Sequence, residues 1–150
     1  MSNLESLDLD FVQLGTTGLQ TSELQFGTWR FGKETEEGNV EIGEERAYEL
    51  LDGYEAAGGR YIDTADIYGG GASERWIGNW LEDRDRHRYT IASKIFWQTR
   101  EEDPNSRGTN RKNVRQRVDG ILDRLDTDYV DVLYIHRWDD QTSAREMMKT

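Results

Sequence analysis

The stretch Gly59-Arg60-Tyr61-Ile62-Asp63-Thr64-Ala65-Asp66-Ile67-Tyr68-Gly69-Gly70-Gly71 passes from a short apolar run to a polar one and then to three consecutive glycines. Residues 60–64 read as a strand, because Tyr61 and Ile62 favour a pleated, half-buried backbone. Three glycines in a row make a sharp loop. Behind them Ser73 is a favourable N-cap for a helix whose apolar positions Trp76, Ile77, Trp80 and Leu81 fall on one face. Together these segments make one strand-loop-helix unit.

The unit repeats on either side. Upstream, residues 43–57 carry Ala47, Leu50, Leu51, Tyr54 and Ala57 at helical spacing, and Gly58-Gly59 ends that helix. Before it a short strand ends near Gly27-Thr28-Trp29, and residues 11–14 pair with residues 21–24 as a small hairpin around Gly15 and Gly18. Downstream, Tyr89-Thr90-Ile91-Ala92-Ser93-Lys94 reads as a strand. Asn110 caps a helix carrying Val114, Val118, Ile121, Leu122 and Leu125, residues 129–135 form the next strand, and residues 143–148 open another helix. Strands beginning roughly 30 to 40 residues apart, with helices between them, predict right-handed βαβ units and a parallel sheet. Two α/β architectures satisfy this pattern, an open doubly wound sheet and a (β/α)8 TIM barrel. The first strand is followed by Gly27-Thr28-Trp29-Arg30-Phe31-Gly32, which does not match the dinucleotide fingerprint, and no Walker A motif occurs.

Composition removes several functions. With 150 residues the chain is long enough for one domain. Zero cysteine excludes disulfides, thiolate metal sites and a cysteine nucleophile, and no metal is expected. The 30 acidic against 19 basic side chains give a net charge of −11, which repels phosphate backbones and argues against nucleic acid. No apolar run is long enough to span a membrane, and residues 1–8 are acidic, without the basic flank and apolar run of a secretory leader. A cytoplasmic location is expected. Lysine occurs only at Lys33, Lys94, Lys112 and Lys149, the other basic residues being arginine. Such an acidic, lysine-poor surface predicts a halophilic protein, since salt screens its self-repulsion. The basic group Arg107, Arg111, Lys112, Arg115 and Arg117 reads as a solvated helix face paired with nearby acids.

The chemistry-bearing groups collect at strand ends. Asp63, Lys94 and His136 close successive strands, and Tyr68 follows Asp63 by five residues. Parallel strands bring such ends to one rim, where barrel enzymes build their sites. An ammonium beside a phenol favours loss of the phenolic proton; Lys94 would supply that charge and Asp63 would hold it in place. Tyr68 would then act as general acid, and neutral His136 would donate a hydrogen bond to the same substrate oxygen. This set suits protonation of a carbonyl oxygen as hydride reaches its carbon, the hydride coming from a cofactor.

These residues carry a family resemblance. The run from Gly59 to Gly69, followed by Ser73-Glu74 and Gly78, resembles the signature of the aldo-keto reductases. Lys94 in Ile-Ala-Ser-Lys and His136 in Asp131-Val-Leu-Tyr-Ile-His136-Arg-Trp-Asp139 match that family's third and fourth catalytic positions, and Phe26-Gly27-Thr28-Trp29 resembles its first strand. Ser106-Arg107-Gly108 and the segment from Arg124 to Asp131 fit the branch with long third loops. The resemblance implies a (β/α)8 barrel reducing aldehydes or ketones, or oxidising alcohols, with NADPH or less often NADH. It implies Tyr68 as proton donor, Asp63 and Lys94 tuning it, and His136 orienting the carbonyl. Gly27, Thr28, Trp29 and Asp63 would lie at the nicotinamide, and Trp29, Trp97 and Trp138 would wall the substrate pocket. Such a barrel needs about 250 residues, so residues 1–150 are expected to be its N-terminal portion: a hairpin plus about four βα units, ending inside the fourth helix. The partner expected is then a small carbonyl or alcohol substrate, with the missing C-terminal half or a second copy closing the barrel. A cofactor-sensing or regulatory role is the alternative function.

Overall fold

The computed structural model describes residues 8–150; most of the acidic opening stretch read above as no secretory leader lies outside them, at residues 1–7. The chain begins with a hairpin of β1 (Phe11–Gln13) and β2 (Gln20–Ser22), with Phe11 opposite Ser22. Strand β3 (Gln25–Gly27) then leads to α1 (Glu44–Ala56), and β4 (Tyr61–Asp63) to α2 (Ala72–Leu81). Strand β5 (Thr90–Ile95) precedes α3 (Arg111–Leu125), and β6 (Val132–Ile135) precedes the short α4 (Ala144–Met147). Every predicted element is present, with its ends within three residues of the expected ones.

The four long-range strands form one parallel sheet in the order β3-β4-β5-β6. Sequential order with no reversal leaves no switch point, which a doubly wound sheet requires. The side chains agree. Ile62, Ile91 and Ile95 cluster with Ala47 and Leu51 of α1, Ile77, Trp80 and Leu81 of α2, and Ile121 and Leu125 of α3. All three helices therefore cover the same sheet face. The alternate residues of the strands, Tyr61, Asp63, Ala92, Lys94, Val132 and Tyr134, share the other face. Helices outside and a polar layer inside are the arrangement of a barrel wall.

The hairpin sits at the end of the sheet opposite the rim. Ser22 Oγ accepts hydrogen bonds from the backbone N–H groups of Arg60 and Tyr61, at 3.0 and 3.1 Å, at the start of β4. The far edge, β6, has no strand beyond it among the described residues. Its Leu133, Tyr134 and Ile135 are 37 to 39% exposed.

Two sequence expectations change. Ser73 does not cap α2. Gly71, at φ 87°, occupies the N-cap, and Ser73 lies one residue inside the helix, fully buried. Left-handed Gly69, Gly70 and Gly71 make the corner, and a left-handed backbone suits glycine because it has no Cβ. Arg117 does not belong to a solvated face. Its guanidinium is buried in an ion pair with the buried Asp66 carboxylate, across the interface of α3 with the loop after β4. The face of α3 turned inward carries Asn113, Arg117, Ile121 and Leu125, while Val114, Val118 and Leu122 are half-buried beside it.

Candidate active site

The rim ends of the strands fix the site. Asp63 is the last residue of β4, Lys94 the penultimate residue of β5, and His136 the first residue after β6. Asp63 and Lys94 share the inner sheet face, and neighbouring parallel strands bring them into contact. Lys94 Nζ donates to Asp63 Oδ2 at 2.6 Å, to the Thr64 carbonyl at 2.7 Å and to the Tyr68 hydroxyl at 3.3 Å. An ammonium has three protons, and here each has an acceptor. Both partners of the ion pair are largely shielded, with side-chain exposures of 14 and 17%.

Tyr68 opens the 3-10 turn Tyr68–Gly71 that precedes α2. A Cβ on Gly69 would lie 2.4 Å from the Phe31 carbonyl oxygen, so the corner can pack here only with glycine. The Tyr68 ring meets His136 edge-on, centroids 5.9 Å apart. Burial pushes the His136 imidazole below its ordinary 6.5, and the nearby Lys94 charge pushes the same way. Both effects favour the neutral imidazole. Its Nδ1 and the Asp63 Oδ1 are both buried without a hydrogen-bond partner. The four groups expected from the sequence do meet at one place.

The flanking residues divide. Trp97 lies against His136, with centroids 6.1 Å apart. Trp29 is 53% exposed, with Lys33 Nζ 4.0 Å from its ring centroid. Trp138 is 77% exposed. It lines a cleft of about 970 Å³ with Arg107 and Arg137, between the loops after β5 and β6. Gly27 faces open space, but Thr28 is fully buried with its hydroxyl bonded inside the protein.

Several residues in the supporting structure were not anticipated. Glu74 is fully buried on α2, accepting from Ser93 Oγ at 2.5 Å and Arg124 Nε at 2.7 Å; burial pushes its carboxyl up against those two partners. Asp66 is likewise pushed up by burial despite Arg117. Glu74, Ile77, Gly78 and Leu81 follow the spacing of a single helix face. That periodicity was the available signal for Glu74. Behind the loops, buried Asp139 accepts from Thr109 N at 2.7 Å, Thr109 Oγ1 at 2.7 Å, Gln141 N at 3.0 Å and Thr142 Oγ1 at 2.9 Å. It ties the loop after β6 to the start of α3.

Comparison with known proteins gives a consistent answer. The sequence model of the Aldo/keto reductase family matches residues 23–150. Norsolorinic acid reductase stcV of Emericella nidulans is 37% identical over 139 residues, 89% of this chain and 36% of the relative. An aryl-alcohol dehydrogenase of Pestalotiopsis microspora is 36% identical over 140 residues, again 36% of its length. The holo form of aldo-keto reductase AKR11C1 from Bacillus halodurans superimposes with a TM-score of 0.77 at 28% identity, over 94% of this chain and 44% of the other. The chain thus spans 36% of each of these two relatives and 44% of this solved structure, and its sheet corresponds to part of their barrel.

Proposed function

The chain belongs to the aldo/keto reductase family, and from that premise we propose that its rim cluster reduces an aldehyde or ketone to an alcohol, or runs the reverse oxidation, with Tyr68 as proton donor. The observation that carries this reading is the setting of Lys94. Its ammonium stands 3.3 Å from the Tyr68 hydroxyl, while Asp63 and the Thr64 carbonyl hold it from behind. A fixed positive charge there favours release of the phenolic proton toward a carbonyl oxygen. Neutral His136, in edge contact with Tyr68, supplies a hydrogen bond that orients the same oxygen.

A nicotinamide cofactor, NADPH with NADH as its alternative, supplies the hydride when bound. The residues present fit one wall of its site. Asp63 Oδ1 is buried and unpartnered, and a Cβ built on Gly27 would meet nothing within 4 Å. Asp63, Gly27, Trp29 and the Thr28 backbone would hold the group. Trp97 beside His136 offers a ring to a flat substrate, and the aryl-alcohol dehydrogenase among the relatives supports an aryl aldehyde or aryl alcohol. Closure of the barrel belongs to the proposal. The edges of β3 and β6, unpaired among the described residues, support a partner that supplies four further strands, either the barrel's second half or another copy. A cytoplasmic site of action completes the reading.

The test is turnover of an aryl aldehyde with NADPH by the closed barrel. Tyr68→Phe should lower kcat about 100- to 10,000-fold with KM little changed. Unchanged kcat in that variant would refute the role of Tyr68. Cofactor binding with no turnover by the unsubstituted protein would replace the enzyme by a cofactor-sensing role.

A further inference from the structure

Three hydroxyl side chains lie beneath the site, from three separate segments, and all are fully buried: Thr28 after β3, Thr64 after β4 and Ser73 in α2. Thr64 Oγ1 and Ser73 Oγ are 2.8 Å apart, Ser73 Oγ donates to Thr28 Oγ1 at 2.7 Å, and Thr28 Oγ1 donates to the Asp63 carbonyl at 2.9 Å. With Ser73 and Thr28 donating onward, the proton left for the first contact is that of Thr64. The chain therefore runs in one direction, Thr64 to Ser73 to Thr28 to the Asp63 carbonyl, and each hydroxyl spends its one proton.

The two ends of this chain belong to adjacent residues that also bind Lys94. Asp63 offers its carboxylate and Thr64 its carbonyl, two of the three acceptors of the ammonium. The third acceptor, Tyr68, is separated from Ser73 only by the glycine corner and Ala72. Ser73 thus links the segment carrying the phenol to the segment carrying the carboxylate. A helix cap in this place would satisfy only its own helix. We propose that Ser73, with Thr28 and Thr64, is a positioning unit that sets where the Lys94 ammonium stands relative to Tyr68. Its three buried hydroxyls act through the Asp63–Thr64 backbone and touch neither substrate nor cofactor. The functional consequence rests on the reading of Tyr68 as proton donor, whereas the geometric claim does not.

Four lysines in the chain make the test direct, because the ε-methylene signals of Lys33, Lys94, Lys112 and Lys149 are few enough to follow individually by NMR in isotopically labelled protein. Thr28→Val keeps the shape but removes the hydroxyl; Ser73→Ala breaks both of its links; Thr28→Ser keeps the hydroxyl. In the first two variants the Lys94 ε-methylene signal should move. The other three lysines should hold still, and Thr28→Ser should behave as the unsubstituted protein. An unmoved Lys94 in either folded hydroxyl-less variant would overturn the proposal. So would Thr28→Ser moving Lys94 as far as Thr28→Val does, or failure of all three variants to fold, since shape would then be what the junction supplies. If Lys94 moves as expected but Tyr68→Phe turns over normally, the positioning unit stands and the role of Tyr68 falls.

Discussion

At the scale of single residues, His136 shows how location sets chemistry. An imidazole at a strand end with one nitrogen sealed in and an ammonium nearby pays for any positive charge it takes up. The folded protein therefore binds that proton more weakly than the unfolded chain does. The sign follows: His136 costs nothing above pH 6.5, and below it lowers stability as the pH falls toward its folded value. With only His87 and His136 in the chain, an NMR titration can assign both imidazoles. The His136 midpoint should lie below 6.5; a value at or above it would contradict the neutral hydrogen-bond donor invoked for the carbonyl.

At the scale of elements, the rim loops depend on Asp139. Burial by itself would raise this carboxyl, but the Thr109 amide and hydroxyl, then the Gln141 amide and Thr142 hydroxyl, outweigh it and bring the pKa down to about 2. Gly108, at φ 75°, completes the junction, since a Cβ there would lie 2.7 Å from Asp139 Oδ2. A depressed acid contributes stability above its unfolded value near 3.8 and loses that contribution as pH falls through about 2. Asp139→Asn should therefore cost on the order of 2 kcal/mol near neutral pH. Denaturant unfolding should show the difference shrinking toward pH 2, and a gap independent of pH would count against the account. The elements themselves were legible in the sequence because Ala47 and Leu51, Ile77 and Leu81, and Ile121 and Leu125 each stand one helical turn apart and the strands are short β-prone runs. Asp63, Lys94 and His136 were legible because each sits at a strand end, and Tyr68 because it follows Asp63 by five residues in the next loop. What escaped was polar and long-range. Ser73 has the chemistry of a cap, and only the folded chain shows Thr28 and Thr64 waiting for it. Arg117 looked like one more surface cation because its partner Asp66 is 51 positions away. The Thr64 carbonyl, a backbone group, has no signature in sequence at all.

At the scale of the whole molecule, the excess of carboxylates sets the response to salt. A net charge of −11 on 150 residues opposes compaction, and added ions screen that repulsion. The melting temperature should rise between low and molar KCl by about 5 °C, equivalent to roughly 1–2 kcal/mol for a chain of this size. A flat or falling curve would remove the halophilic reading. The same screening acts differently at β6, whose outer backbone groups and exposed Leu133, Tyr134 and Ile135 lie open. Such an edge is a template for adding strands from any chain nearby, and mutual repulsion between acidic copies opposes that pairing in dilute buffer. Concentrated salt should then strengthen each folded copy while lowering the barrier to aggregation between copies. Until the edge is covered, thermal stability and colloidal stability would move in opposite directions.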